Sequence, residues 1–308
     1  MAHFAGGSTT NFGGNSPSAP QANQFWVPEI YSKKVQIALR KAATAEAICN
    51  TDYMGEIKNF GDTVNIVQEP QITVSDYTRG ASTSSTALTD NELVLVVDQA
   101  KYFQFQLDDI EKRFSHVNFQ SVASDNAAYK LKDALDTNVL AAISAGATVT
   151  TGMGTTGTPI DIGFGSSEVD PLNQMSLASK ELDDANCPEE GRWFVAGPDF
   201  YEVLGSSSSK LLSVDYNAGQ GSIRNGLVSS GKLRGFDMYK SNNIAATSNA
   251  AGKCLAGHIS STATANTILS TEVLRDPTSF GDIVRGLHVF GAKVLRDEAL
   301  VGAFYGID

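Results

Sequence analysis

Residues 63–74, TVNIVQEPQITV, and residues 91–107, NELVLVVDQAKYFQFQL, decide how this chain folds. Val64, Ile66, Ile72 and Val74 in the first stretch, and Leu93, Leu95, Val97, Phe103, Phe105 and Leu107 in the second, predict two long strands with an apolar face. The segment between them, 75–90, is rich in Ser and Thr and reads as a mobile polar tip. At ~3.3 Å per residue the first strand alone spans ~40 Å. A two-stranded hairpin is marginal by itself in water, so an arm of this length needs another surface to lie on. A neighbouring molecule can supply that surface, and the chain then reads as a building block rather than an enzyme.

Bulk composition agrees. The chain has 308 residues, 42% hydrophobic and 19% charged, with a net charge of −11. That suits one large or two medium globular domains. Charged residues fall below the usual ~25%, and small polar residues take their place, a trait of surfaces that pack against neighbours. The negative charge argues against a surface built to grip nucleic acid. Cys49, Cys187 and Cys254 are odd in number and far apart, which predicts neither a disulfide framework nor a zinc site and suits a reducing compartment. No apolar run reaches 18 residues, and no basic segment followed by an apolar one opens the chain. Neither a membrane span nor a signal peptide is expected.

Residues 1–24 carry few apolar groups and read as a disordered arm that orders on a partner. Pro28 opens a predicted helix with Tyr31, Val35, Ala38, Ala42, Ala45 and Ile48 on one face, and Lys33, Lys34, Arg40 and Lys41 off it. Beyond the hairpin, Phe119, Ala123, Ala127, Leu131, Leu135, Val139 and Ile143 recur every four residues. They predict a long helix over 118–145, stopped by Gly146. A spacing of four overshoots a turn by ~40°, so the two ends of the stripe should face different neighbours. At ~1.5 Å per residue this helix is a spine ~42 Å long. Residues 148–167 read as an irregular loop. Asp170-Pro171 then caps a helix through Leu172, Met175, Ala178, Leu182 and Ala185. RWFVA at 192–196 reads as a buried strand, Gly197-Pro198 as the turn into a short helix ending near Leu204, and 236–240 as a further strand. Strands are expected at 272–275, 282–295 and 300–307, pairing with earlier ones to give a discontinuous α+β domain around the spine.

No catalytic constellation stands out, and the chain is expected to be neither an enzyme nor a cofactor or metal carrier. Gly152-Met153-Gly154-Thr155-Thr156-Gly157 matches the dinucleotide fingerprint, but that motif works only between a strand and a helix. Here a long helix precedes it, and Pro159, Gly163 and Gly165 follow. His3, His116, His258 and His288 show no helical metal-pair spacing. The doublets Asp108-Asp109, Asp183-Asp184 and Glu189-Glu190 read as solvated turns or helix-end charges.

Two blocks carry a family resemblance. One runs from Trp26-Val27-Pro28-Glu29-Ile30 through Asn50-Thr51-Asp52-Tyr53 to Gly61-Asp62-Thr63-Val64-Asn65-Ile66. The other is Leu274-Arg275-Asp276-Pro277-Thr278-Ser279-Phe280-Gly281-Asp282, with Val284-Arg285-Gly286-Leu287-His288 and Gly291-Ala292-Lys293-Val294 after it. With Asp136 near the end of the spine helix and Pro188-Glu189-Glu190-Gly191-Arg192-Trp193 before a strand, the set resembles tailed-bacteriophage major capsid proteins of the Hong Kong 97-type fold over about residues 25–308.

The resemblance implies an α+β fold with an N-arm at 1–50 and an extended β-hairpin loop at 51–107. It further implies a peripheral domain at 108–146 and 253–308, and an axial domain at 147–252. It implies hexamers and pentamers closing an icosahedral head around double-stranded DNA, within the virion and assembled in the host bacterial cytoplasm. The hairpin of one subunit would lie on the peripheral domain of the next. Expected partners are other copies of the chain, a portal, a decoration or cement protein, and a separate scaffolding protein, since 1–24 is short for a scaffolding segment. Some relatives crosslink a Lys to an Asn; Lys58 lies near the hairpin base and 75–89 holds no Lys, so no such crosslink is expected here. Candidate inter-subunit contacts are Trp26, Tyr77, Arg79, Arg275, Asp276, Asp282, Arg285 and Arg296. The alternatives are an encapsulin-like compartment, a dinucleotide-binding α/β enzyme, disfavoured by the context of its Gly motif, and a secreted structural protein, disfavoured by the missing signal peptide.

Overall fold

The computed structural model describes residues 43–55, 63–68, 91–110, 119–149, 152–155, 157–206, 233–244 and 252–306, with several positions between 72 and 82. Of the helix predicted after Pro28, only the last turn, α1 (Ala45–Ile48), lies within them. Trp26 and Lys58 lie outside.

The hairpin forms, and its base already has a surface to rest on. β1 (Thr63–Gln68) pairs antiparallel with β2 (Asn91–Val96), Thr63 opposite Val96 and Gln68 opposite Asn91. Leu95 and Val97 are fully buried against Ala263, Ala265 and Val289 of the same chain, with Val64 and Ile66 packed alongside. The expectation that the whole apolar face awaits a neighbour is therefore corrected for the base. Small Ala side chains make a shallow seat that the hairpin fills.

The single strand expected over 91–107 is also corrected: it breaks after Val96. β3 (Gln99–Asp108) leaves the hairpin and pairs along its whole length with β9 (Gly281–Val294), which pairs in turn with β8 (Thr262–Arg275). Gly291 explains the break. A side chain there would occupy the space of the Val96 carbonyl and crowd Val97, so the chain crosses β9 where only a glycine admits it.

α2 (Phe119–Gly146) is the spine, 28 residues long and within a residue of the predicted start. Its C-terminal half buries Leu135, Val139, Leu140 and Ile143 against Phe290 of β9 and against Trp193, Val195, Leu255 and Leu300. Between residues 122 and 134 no side chain is fully buried, as a stripe that winds off the core requires. Asp136 on the buried half is wholly inaccessible. Its Oδ1 accepts from Thr44 N at 2.6 Å and Ala45 N at 2.7 Å, and Oδ2 accepts from Asn243 Nδ2 at 2.8 Å.

A second sheet lies on the other side of α2, in the order β4 (Ile160–Asp161), β10 (Leu300–Gly306), β7 (Gly252–His258), β5 (Arg192–Ala196), β6 (Asp237–Lys240). The C-terminal segment, 253–308, divides between the two sheets. Its first and last strands, β7 and β10, are inner strands of this five-stranded sheet, and only β8 and β9 pair with β3. The cause is burial on both faces. Cys254, Ala256, Ala303 and Tyr305 turn toward α3 (Pro171–Asp184) and α4 (Pro198–Leu204), meeting Met175, Leu182 and Phe200, while Leu255 and Leu300 turn toward α2.

Local chemistry sets the edges of this layer. Asp170 accepts from Leu172 N at 2.8 Å and Pro171 opens α3, as predicted. Arg192, nearly inaccessible, donates to Asp183 at 2.7 Å and to the carbonyls of Cys187 and Pro188 at 2.5 and 2.8 Å. It thereby locks the turn from α3 into β5. Lys253 donates to the Ser144 carbonyl at 3.0 Å and lies 4.6 Å from the Phe304 ring centroid, tying α2 to β7 and β10. No described helix is long and apolar enough to cross a membrane.

Replacing Asp136 by Ala strands two backbone donors and one amide donor in the core, at ~1–3 kcal/mol each. Asp136→Ala is expected to cost ~3 kcal/mol or more in urea denaturation, and Asp136→Asn less, because the amide oxygen still accepts.

Candidate assembly surface

Uncovered apolar side chains mark two regions. On the hairpin, Val67, Val94 and Val96 point away from the buried face, and Ile72, Val74 and Tyr77 lie toward the tip, Val74 at 93% exposure. On the β3–β9–β8 sheet, Tyr102, Val273, Leu274 and Phe280 are exposed, Phe280 at 81%. Single exposed apolar residues are ordinary, but Val273, Leu274 and Phe280 lie toward the turn end of the sheet, and Val67, Val94 and Val96 share the outer face of the hairpin. Contiguous patches of this kind mark interaction surfaces.

The sheet's exposed end is built rigidly. Residues 276–280 turn β8 into β9, and Asp276 organises the turn. Its carboxylate accepts from Thr278 N at 2.8 Å, Thr278 Oγ1 at 2.7 Å, Ser279 Oγ at 2.7 Å and Gln106 Nε2 at 2.7 Å. The hydroxyls of Thr278 and Ser279, then the Thr278 amide, hold this carboxyl down at about 2. Arg275 forks between Asp109 and Asp282, the latter at 3.2 Å, and these bonds hold its guanidinium more firmly charged. Arg285 and Glu272 are direct cross-strand partners, paired at 2.6 Å. Phe280 is thus presented on a fixed turn at the end of two 14-residue strands.

Of the residues singled out from the sequence, Arg275, Asp276, Asp282 and Arg285 gather at this end, all engaged within the chain. Arg296 is exposed at the opposite end of β9, after Val294. Tyr77 and Arg79 are exposed on the hairpin tip, and Trp26 lies outside the described residues. Tyr102, Val273 and Phe280, all exposed, are not among the residues singled out from the sequence. The signal available for Phe280 was a large aromatic inside an otherwise polar turn.

The glycine motif has a structural use. Gly152 and Gly154 adopt φ of 90° and 70°, and Met153 between them plugs the core under α3. Its carbonyl accepts from Phe304 N at 2.9 Å. The loop runs from α2 into β4, so no helix N-terminus faces it. Among the described residues, no three His, Cys, Asp or Glu side chains converge on a metal-sized site.

The family model described as "Phage capsid protein" matches residues 90–303. The chain belongs to the phage capsid protein family. Among solved structures, this capsid protein is similar to a chain from Mycobacterium phage Che8, at 29% identity and a TM-score of 0.78, covering 90% of this chain and 96% of that one. It is similar in fold to the capsid of cyanophage P-SCSP1u, with TM-score 0.71, 18% identity and coverage of 96% and 97%. The capsid of an empty GTA particle also shares the fold, with TM-score 0.69, 13% identity and coverage of 95% and 99%. No curated protein matches the chain. The fold is the α+β Hong Kong 97-type, and the protein is a major capsid protein that forms the head of a phage as a multi-subunit shell.

The Glu272–Arg285 pair is half-exposed, and exposed pairs are worth at most ~1 kcal/mol. A double-mutant cycle with Glu272→Ala and Arg285→Ala, read by chemical denaturation of the unassembled subunit, is expected to give a coupling below that value, shrinking further in 1 M salt.

Proposed function

We propose that this capsid protein assembles as hexamers and pentamers into a closed icosahedral shell around double-stranded DNA, with the outer face of the hairpin and the exposed end of the β3–β9–β8 sheet as contacts between copies. The uncovered apolar side chains at these two places carry the reading. Val67, Val94 and Val96 have no partner face in their own sheet pair, while the inner face of the same hairpin is buried on its own chain. One subunit's hairpin therefore extends over its neighbour's peripheral sheet. Interfaces of permanent assemblies reach ~2,000 Å² or more, and many weak links act together in a closed shell.

The division of the chain follows the sheets. β3, α2, β8 and β9 form the peripheral domain, and the five-stranded sheet with α3 and α4 forms the axial domain. Residues 1–50 are the N-arm. Contacts between copies are non-covalent. A separate scaffolding protein, a portal and a decoration or cement protein complete the head, which assembles in the host bacterial cytoplasm. A net charge of −11 suits a container that encloses DNA without gripping it.

Negative-stain electron microscopy of the expressed chain tests the assembly. Uniform shells or polyheads are expected, and a strictly monomeric or dimeric, cofactor-bound protein would sink the reading. Deleting 75–89 is expected to leave the melting temperature of the subunit unchanged and to reduce shell yield several-fold. Val96→Asp and Phe280→Ser should act in the same way. A deletion variant that no longer folds would place the tip in the subunit's own core and remove the support for a hairpin reaching a neighbour.

A further inference from the structure

His288 lies on β9, two residues from Phe290, on the face that packs against α1 and α2. The two rings are 5.4 Å apart. The side chain is 7% exposed, and its Nδ1 has no hydrogen-bond partner among the described residues. Of the charged groups around it, Glu46 of α1 acts on the ring and is itself paired with Lys132 of α2 at 2.8 Å. Lys101 of β3 lies directly across the ladder. The other carboxylate near α1, Asp136, is already occupied by Thr44, Ala45 and Asn243.

A proton on this ring creates a buried cation beside a lysine, with the facing carboxylate engaged elsewhere. Burial opposes that charge and Glu46 favours it; burial is the larger effect, so the ring is held below its ordinary 6.5. Of the elements around it, α2 and β9 are fixed by large cores. α1 is four residues long and is held by Asp136, by the Glu46–Lys132 pair, by the burial of Ala45, Ile48 and the adjoining Cys49, and by the bridge of Asn50 to Ala263. It is the element that can lift and admit water.

We infer that His288 is a proton-sensitive latch for the N-terminal segment: protonation of the imidazole weakens the docking of residues 43–50 on α2 and β8. Above pH ~6.5 both states keep the ring neutral and docking is unaffected. Below that value the released state binds the proton more readily, so docking weakens as the pH falls. One proton limits the change to about a decade in the docking constant per pH unit. The latch is a property of the subunit and does not depend on how copies pack.

Hydrogen exchange of the full-length chain at pH 7.5 and 5.5, corrected for intrinsic rates, tests it. Peptides over 43–50 are expected to lose about tenfold in protection at the lower pH, while those over 171–184 do not change. His288→Phe and His288→Gln are each expected to abolish that loss, and either variant that folds suffices. Glu46→Gln should leave the onset near pH ~6.5, which the released state sets, and carry the loss further at low pH, because the one charge that favours the docked imidazolium is gone. Equal protection of 43–50 at both pH values in the wild type, or an undiminished loss in the His288 variants, would overturn the assignment.

Discussion

A buried carboxylate must find donors, and in this protein one such group gathers three distant parts of the chain. Asp136 is 92 residues from Thr44 and 107 from Asn243, yet all three meet at one inaccessible point. An unpaired charge there would be prohibitively costly, so the N-terminal segment, the spine and the segment after β6 are forced into register together. The apolar packing around it then closes. Ile48 and Cys49 enter the core beside Leu135, Val139 and Phe290, and burial pushes the Cys49 thiol up to about 12, with Asp136 adding to the shift. With the C-terminal half of α2 fixed in this way, both sheets have a common wall.

β9 carries the consequence outward. Its proximal half has two covered faces. His288 and Phe290 turn toward the helices, and Val289 lies under the hairpin. Its distal half is flanked by β3 and β8, and Val284 and Leu107 are buried there. The exposed turn at its end is organised by polar contacts: the four bonds of Asp276, the fork of Arg275 and the Glu272–Arg285 pair. Such bonds are weak sources of stability at an exposed site. They are effective at fixing geometry, and a fixed turn presents Phe280 without ordering it anew on contact.

Much of this was legible in the sequence where the deciding interactions are local. Gly146 and the four-residue repeat gave α2 its length. Asp170-Pro171 gave α3 its start, and the apolar run at 193–196 after Arg192 gave a buried strand. Pairing across long separations was not legible. β7 and β10 look from the sequence like any other C-terminal strands, and only their neighbours reveal which sheet they join. The break after Val96 depends on Gly291, nearly two hundred positions away. Arg275 and Arg285 were recognisable as a charge patch, but Arg275 finds Asp109 at a separation of 166 residues, and no periodicity encodes that. Asp136 was noticed only as part of a family pattern, since two of its donors are backbone groups that leave no mark in composition and the third, Asn243, lies 107 residues away.

The separation between what folds the subunit and what remains uncovered is itself a physical requirement of a shell. Fully burying a Val or Phe side chain is worth ~1.5–3 kcal/mol. The few on the hairpin's outer face and at the sheet's end are too few to form a second core, and the subunit folds around Asp136 without them. In the proposed shell each contact is made once per subunit and repeated around closed rings, so modest single contacts sum to a stable assembly. Moving those side chains into the subunit's core would stabilise the monomer and leave the surface with charged pairs alone. Exposed ion pairs fix register and orientation better than they supply affinity. In the proposed shell, the apolar residues left outside are therefore the ones whose exchange for polar ones is expected to weaken assembly.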